Sequence, residues 1–396
     1  MLLIEQVASY EAIDRAFEWL CEKRKDYHYN NDVWQLRRWW HEKKPKLMAQ
    51  LLAGNFRFGE QRRVLSRGEV KEIWSAQDAL VLKALAIVLQ EVLQPHLSPR
   101  CFHLAGTGGL KGAVREVEAH VHEFEFVFRT DVKGYYANID HDILFSMVAE
   151  YVRDPVVLDL VGQYLRRFVS DGGIYVDIQR GISLGCPLSP LMGALYLKPL
   201  DDRMAAMGCF YVRYIDDWVV LAATRWALRR AIKATNMVMG ELKVEKHPDK
   251  TFIGRVGRGF DFLGYRFAPG GLAVALVTVE RFLERVSRLY EQNATASRIE
   301  EYARRWLIWV RSGVQRVELL EEVEGAIAQL PITGMELYCT SCLPVICHPP
   351  SLFLHGNISP LALFPHYFRT RFYLLSAFFR GKWSKSSFPV SSRDHG

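Results

Sequence analysis

The sequence opens Met1-Leu2-Leu3-Ile4-Glu5-Gln6 and has no basic region followed by an apolar run and a small-residue cleavage site. No secretory signal is read there, and a cytoplasmic location is the expectation. Cysteine is sparse: seven residues, an odd number, run from Cys21 to Cys347 without the spacing of a secreted framework. Free thiols in a reducing compartment are expected. A charge-free apolar run of membrane-spanning length is also missing. The longest apolar stretch, from Asp78 to about Leu97, is interrupted by charge and closed by Pro95 and Pro99, so it reads as a buried helix and no membrane partner is expected. Acids are scarce at the far end: beyond Pro331 only Glu336 and Asp394 stand against six basic residues, and with Pro344, Pro349, Pro350, Pro360 and Pro365 in place no 18-residue apolar run free of proline and suited to a helix survives. No folded domain is read in 331–396, which is either a poorly ordered extension or an altered reading frame of an ancestral C-terminus. No Ser-His-Asp or catalytic-cysteine arrangement stands out.

What is present is enough apolar sequence, 49% of 396 residues, for a globular protein of two or three domains. The formal charge of +7 suits a polyanionic partner without requiring one. Residues 1–50 have helical spacing and become basic and aromatic at Trp34, Arg37, Arg38, Trp39, Trp40, Lys43, Lys44 and Lys46. They form either a nucleic-acid-facing extension or a solvated helix whose tryptophans pack on the next domain. Phe124 to Asp131 alternates with the period of a strand and ends on an aspartate. Tyr211–Tyr214 and Trp218–Leu221 read as two strands joined by a tight turn carrying Asp216 and Asp217. Residues 275–325 lack proline, regain helical periodicity and are rich in arginine.

An Asp-Asp turn is ordinarily solvated turn chemistry. A second aspartate at a strand end, 85 residues earlier in sequence, adds another reading. Nucleotidyl transfer requires two divalent cations roughly 3.5–4 Å apart, and hard carboxylate oxygens suit Mg²⁺. Asp131 and Asp216 meet that minimum.

The wider segments resemble those of reverse transcriptases of the group II intron-like, uncharacterised or defence-associated bacterial type. Asp131-Val132-Lys133-Gly134-Tyr135-Tyr136 is similar to motif A, Gly181-Ile182-Ser183-Leu184-Gly185-Cys186-Pro187 to motif B and Tyr214-Ile215-Asp216-Asp217 to motif C. Leu242–Thr251 resembles motif D and Phe262-Leu263-Gly264-Tyr265 motif E, all in the family order, before an arginine-rich thumb. The resemblance implies an α+β right-hand polymerase with fingers, an antiparallel-sheet palm and a helical thumb. It divides the chain into an N-terminal extension (1–50), fingers (51–125), palm (126–272), thumb (273–330) and tail (331–396).

By the same resemblance the chain is an RNA-directed DNA polymerase that uses Mg²⁺ or Mn²⁺. Its partners are an RNA template, a DNA or RNA primer and deoxynucleoside triphosphates, with a structured noncoding RNA as a further candidate. The implied metal set is Asp131, Val132, Asp216 and Asp217. Tyr136 is the implied aromatic platform under the sugar, Lys250 the general acid near the leaving pyrophosphate, and Leu184 and Gly185 the substrate-side residues of motif B. Arg63 and Lys71 are the candidate triphosphate cations. Two residues depart from the pattern: Leu184 stands where motif B usually has Gln, and Cys186 where it has Gly. No maturase DNA-binding or endonuclease domain is read after the thumb. The rivals are a template-independent or protein-primed polymerase of a defence system, and a maturase-like RNA-binding protein.

Gly106-Thr107-Gly108-Gly109-Leu110-Lys111-Gly112 lacks the Walker spacing and reads as a template-side loop or an ordinary turn. Cys339, Cys342, Cys347 and His348 have a zinc half-site character without a second half. His103, His120 and His141 read as satisfied polar residues.

Overall fold

The computed structural model describes residues 2–66 and 69–312. The tail, the zinc-like cysteines, and the end of the thumb lie outside the described residues.

Two of the four N-terminal helices start where a side chain caps them. The Ser9 hydroxyl accepts the Ala12 N–H at 3.1 Å ahead of α2 (Tyr10–Lys23), which follows the short α1 (Leu3–Val7). The Asn31 side chain does the same for α3 (Asp32–Arg38), and α4 (Trp40–Leu52) follows directly. Ala12, Ile13, Ala16 and Leu20 recur at helical spacing along α2 and bury one face against α5 (Ala76–Leu93). Each of the larger apolar side chains buried in this way contributes roughly 1.5–3 kcal/mol. α5 is the buried helix expected from the sequence, and Ser75 caps its start.

Residues 1–50 are built into this core. The Arg24 guanidinium donates to the Trp74 carbonyl at 2.8 Å, Lys44 pairs with Asp14 at 2.7 Å, and Phe17 stacks on Trp40 at 4.1 Å. Of the two readings of the tryptophans, packing describes Trp34 and Trp40, while Trp39 is 41% exposed beside the Arg38 guanidinium.

The central sheet is antiparallel, in the order β6 (Phe210–Tyr214), β7 (Asp217–Ala222), β3 (Phe126–Asp131), β8 (Phe252–Arg255). Both faces are covered. Phe126, Phe128, Trp218 and Val220 join the main core with Leu228 and Ala231 of α12 (Arg225–Glu241). Val127, Val212, Val219 and Leu221 face the other way, onto α6 (Gly109–His120) and a three-stranded sheet of β9 (Phe260–Phe262), β10 (Tyr265–Ala268) and β11 (Gly271–Val274). The period-2 alternation of the strands therefore separates two apolar layers rather than core from solvent.

A third sheet, in the order β2 (Glu69–Ile73), β1 (Gln61–Ser66), β4 (Phe168–Asp171), β5 (Ile174–Asp177), contains a parallel β1–β4 pairing between distant segments. Between β3 and β4 run α7 (Tyr135–Asn138), α8 (His141–Tyr151) and α9 (Pro155–Leu165). Asp154 caps α9 and also accepts the Ile4 N–H at 2.8 Å, tying the chain's start to it. α10 (Ser189–Tyr196) and α11 (Lys198–Ala206) precede β6. The last described elements, α13 (Leu276–Glu291) and α14 (Ala296–Arg311), pack through Phe282, stacked on Trp306 at 4.3 Å. No described helix is long and apolar enough to cross a membrane.

Candidate active site

Asp131 is the last residue of β3 and pairs in register with Asp217, the first of β7. Directly opposed residues of an antiparallel pair share a face, and like charges so placed are destabilising. Asp216 occupies the two-residue tip between β6 and β7 beside Ile215, a β-branched residue at φ +57°. A side chain of that kind in the left-handed region is a strained exception that its surroundings must hold. The hairpin and the motif A strand are joined beyond the ladder by the Val132 N–H, which donates to the Asp216 carbonyl at 3.2 Å. On the other flank the His247 N–H donates to the Asp131 carbonyl at 2.8 Å and the Lys133 N–H to that of Glu245 at 2.9 Å. Three sequence-distant segments thus converge on the carboxylates.

Two cations stand over them. Lys250, at the end of a short 3₁₀ turn, places Nζ 2.5 Å from Asp131 Oδ2, and the hydroxyls of its neighbour Thr251 and of Thr130 lie 2.7 Å apart. Arg129, two residues before Asp131 and on the same strand face, reaches both Asp217 oxygens at 3.3 and 3.4 Å. Burial pushes the Asp216 carboxyl up to about 6, and the neighbouring charge of Asp131 adds to the rise. Burial raises Asp217 too, outweighing Arg129.

These residues fit a divalent cation. Asp131 Oδ1 is buried without any hydrogen-bond partner, an expensive state for a carboxylate oxygen unless it ligates something. The available donors are hard oxygens. Among the described residues no three acidic, imidazole or thiol groups enclose an ion by themselves. A few carboxylates completed by water and substrate phosphate are what Mg²⁺ ordinarily takes.

The rings of Tyr135 and Tyr136 lie side by side against Gly193 rather than pointing apart. Tyr135 is buried and donates to the Gly193 carbonyl at 2.5 Å, whereas Tyr136 is half-buried, its ring centroid 5.4 Å from that of Tyr135. Gly193, on α10, makes room for them: a Cβ there would lie 2.8 Å from Tyr136 Cε1. In the motif B loop Leu184 is 74% exposed and Gly185 has a positive φ with open space around it. Cys186 is buried instead, its thiol pushed up to about 12 by burial. The Ser183 hydroxyl accepts from Gln61 Nε2 at 2.6 Å and its carbonyl from the Ser189 hydroxyl at 2.5 Å, which fixes both ends of the loop.

Arg63 is not a free cation: its guanidinium is paired with Asp171 at 2.9 Å and Glu72 at 3.1 Å. Triphosphate binding would require it to leave both. Lys71, on β2, pairs through its backbone with Val64 of β1, and its side chain lies outside the described residues. The glycine-rich segment runs into α6, with Gly108 in the left-handed cap position. Lys111 from that segment bonds to the Tyr265 hydroxyl and sits 4.2 Å from the Trp309 ring, so this lysine faces the protein interior. His103, His120 and His141 each make a hydrogen bond.

Sequence reasoning missed Arg129, whose i, i+2 spacing to Asp131 carried the signal, and Arg213. The Arg213 guanidinium is fully buried against Asp201 at 2.5 Å and also donates to the Ile215 carbonyl at 2.8 Å. Burial opposes its charge and the Asp201 carboxylate overrides that, holding the arginine well above its ordinary range. Nothing in the spacing of Asp201 and Arg213 announces the pair.

Residues 77–267 match the family model described as Reverse transcriptase (RNA-dependent DNA polymerase). The chain carries a reverse transcriptase domain. Over 265 residues, 56% of this chain and 70% of the relative, the sequence is 22% identical to Protein YkfC of Escherichia coli (strain K12). Over 124 residues it is 23% identical to the Group II intron-encoded protein LtrA of Lactococcus lactis subsp. cremoris, covering 31% of this chain and 21% of LtrA. The chain thus spans about a fifth of that intron-encoded relative. Among solved structures, a chain of the "Partial Cas6-RT-Cas1--Cas2 complex" is 15% identical with a TM-score of 0.38, over 61% of this chain and 43% of that one. The reverse transcriptase domain holds the α+β, right-hand architecture and is that of an RNA-directed DNA polymerase, a class that works with divalent metal ions.

Proposed function

We propose that the protein extends a primer on an RNA template with deoxynucleoside triphosphates, and that Asp131, Asp216 and Asp217 are the carboxylates of its metal centre. One observation carries the assignment: Asp131 and Asp217 face each other in register beside Asp216, and one buried Asp131 oxygen has no partner. Mg²⁺ or Mn²⁺ held there by Asp131, Asp216, Asp217 and the main chain at Val132 supplies Lewis-acid stabilisation of charge on the reacting oxygens.

The protein's own groups do the rest. The register of β3 and β7 fixes the carboxylates before substrate arrives, which removes that ordering from the barrier. Arg129 orients Asp217. Lys250, whose Nζ lies 2.5 Å from Asp131 Oδ2, is assigned to donate the proton taken up by the leaving pyrophosphate. Tyr136 supports the sugar, and Leu184 and Gly185 border the nascent pair. Arg63 and Lys71 are assigned to the triphosphate, Arg63 after release from Asp171 and Glu72. The proposed division is an N-terminal extension (1–50), fingers (51–125) sharing a sheet with β4 and β5, palm (126–272), thumb (273–330) and tail (331–396).

The test is incorporation of labelled deoxynucleotide by purified protein on an annealed RNA template with Mg²⁺ or Mn²⁺. Asp216→Asn should lower the rate about a thousand-fold, about 4 kcal/mol of lost transition-state stabilisation. Activity equal to wild type in Asp216→Asn would refute the assignment, and unchanged incorporation without template would favour the template-independent rival.

A further inference from the structure

Ile215 holds a conformation its side chain disfavours, so the groups that fasten it set where Asp216 sits. Both of its main-chain polar groups are taken by side chains, one from outside the hairpin and one from its own strand β6. The Ile215 N–H donates to His103 Nδ1 at 3.1 Å, and the Ile215 carbonyl accepts from Arg213 at 2.8 Å. Each of those side chains also reaches α10. His103 Nε2 lies 3.0 Å from the Pro190 carbonyl, and Arg213 donates to the Ala194 carbonyl at 3.2 Å. Two bridges therefore run from the strained tip of motif C to the helix that follows the motif B loop.

We propose that His103 is a positioning residue for nucleotidyl transfer, which fastens the Asp216 hairpin to α10 through one defined imidazole tautomer. A carbonyl only accepts, so Nε2 carries the proton. An N–H only donates, so Nδ1 is the bare nitrogen. The two contacts select the same neutral ring, and an imidazolium would lose the Ile215 bond. Burial together with the nearby Arg213 charge pulls the ring down to about 4, in keeping with that neutral form. The ring is itself anchored. Its neighbour Phe102 donates to the Arg213 carbonyl at 2.8 Å, the Arg213 N–H donates to the Arg100 carbonyl at 2.9 Å, and the Cys101 thiol lies 3.4 Å from Nδ1. Residues 100–103 thus run alongside the edge of β6 as a brace.

The consequence is a division of labour. The hydrogen bonds of His103 go to Ile215, Pro190 and Cys101 and to none of the three carboxylates, so its loss should move Asp216 rather than remove a ligand. A displacement near 1 Å at a reacting centre costs about a hundred-fold in rate. The bridge to Pro190 further means that shifts in the Leu184–Ser189 segment, which borders the nascent pair, are felt at Asp216.

This inference rests on the polymerase reading, and the experiment separates the two. His103→Ala, His103→Asn and His103→Gln are compared with wild type for kcat and KM of the deoxynucleotide, for Tm, and for Mn²⁺ affinity by electron paramagnetic resonance. In His103→Ala, kcat should fall 10- to 100-fold with KM within two-fold, and Mn²⁺ should bind several-fold more weakly. His103→Asn, which can accept from Ile215, should recover most of both. His103→Gln, which keeps only the donation towards Pro190, should not. Wild-type kcat and Mn²⁺ affinity in a folded His103→Ala would overturn the proposal, as would equal loss in all three variants in proportion to Tm. If His103→Ala does not fold, the contrast between Asn and Gln decides. An inactive wild type refutes the polymerase reading instead, and the Mn²⁺ measurements still judge His103.

Discussion

Tyr136 and Tyr135 are adjacent, aromatic and alike in sequence, yet only one can meet a substrate. The bonded, buried Tyr135 hydroxyl commits that ring to the core, leaving Tyr136 half-buried at the base of the site. If Tyr136 excludes a ribose 2′-hydroxyl, Tyr136→Ala should relax discrimination against ribonucleotides by about 10- to 100-fold. Competition between the two triphosphates on one template measures it, and an unchanged ratio would assign the ring to packing alone. His103 yields a second expectation, in stability. Its folded pKa of about 4 lies below the ordinary value, so the unfolded chain binds the proton more readily between about 4 and 6.5. Its contribution is complete above pH 6.5 and is lost as the pH falls towards 4. Thermal melts of wild type and His103→Asn should therefore converge as the pH drops through that window.

At the scale of elements, α10 carries the site's tolerances. Its Gly193 faces both tyrosines, and a methyl group there would press on Tyr136 at 2.8 Å. Gly193→Ala should raise the deoxynucleotide KM several-fold and lower stability by about 1–3 kcal/mol, the usual cost of overpacking. Steady-state kinetics and denaturant melts measure the two, and an unchanged KM would mean that the ring yields without loss of function. The β6–β7 hairpin was legible in advance, because strand alternation, a two-residue gap and a pair of aspartates are local signals. So was α5, with no proline before Pro95 and dense apolar sequence. The partners of the carboxylates were less legible. Arg129 declared itself only through period-2 spacing on β3, and the Asp201–Arg213 pair joins α11 to β6 through tertiary packing that no periodicity encodes. The ion pairs of Arg63 were hidden for a related reason. A basic residue on a strand looks available until β4 brings Asp171 beside it, and β4 comes from more than 100 residues away.

For the molecule as a whole, the formal charge of +7 and the arginines of α13 and α14 argue for a large electrostatic share in RNA binding. The logarithm of RNA affinity should fall linearly with the logarithm of salt concentration, with a slope of roughly −0.7 to −0.9 per phosphate contacted. Filter binding across a salt series would measure it, and a flat line would remove the arginines from the interface. The sheet shared by β1, β2, β4 and β5 has a different kind of consequence. Its two hairpins are separated by about 95 residues of chain, with β3 and five α-helices between them. At 5–20 residues per second, β1 and β2 wait on the ribosome roughly 5–20 s before the strand that pairs with β1 exists. During that interval they form a lone hairpin, marginal by itself and open along one edge. The pairing that finishes this sheet therefore sets the order of biogenesis. Residues 61–73 complete their sheet only after the segment holding Asp131 has been made.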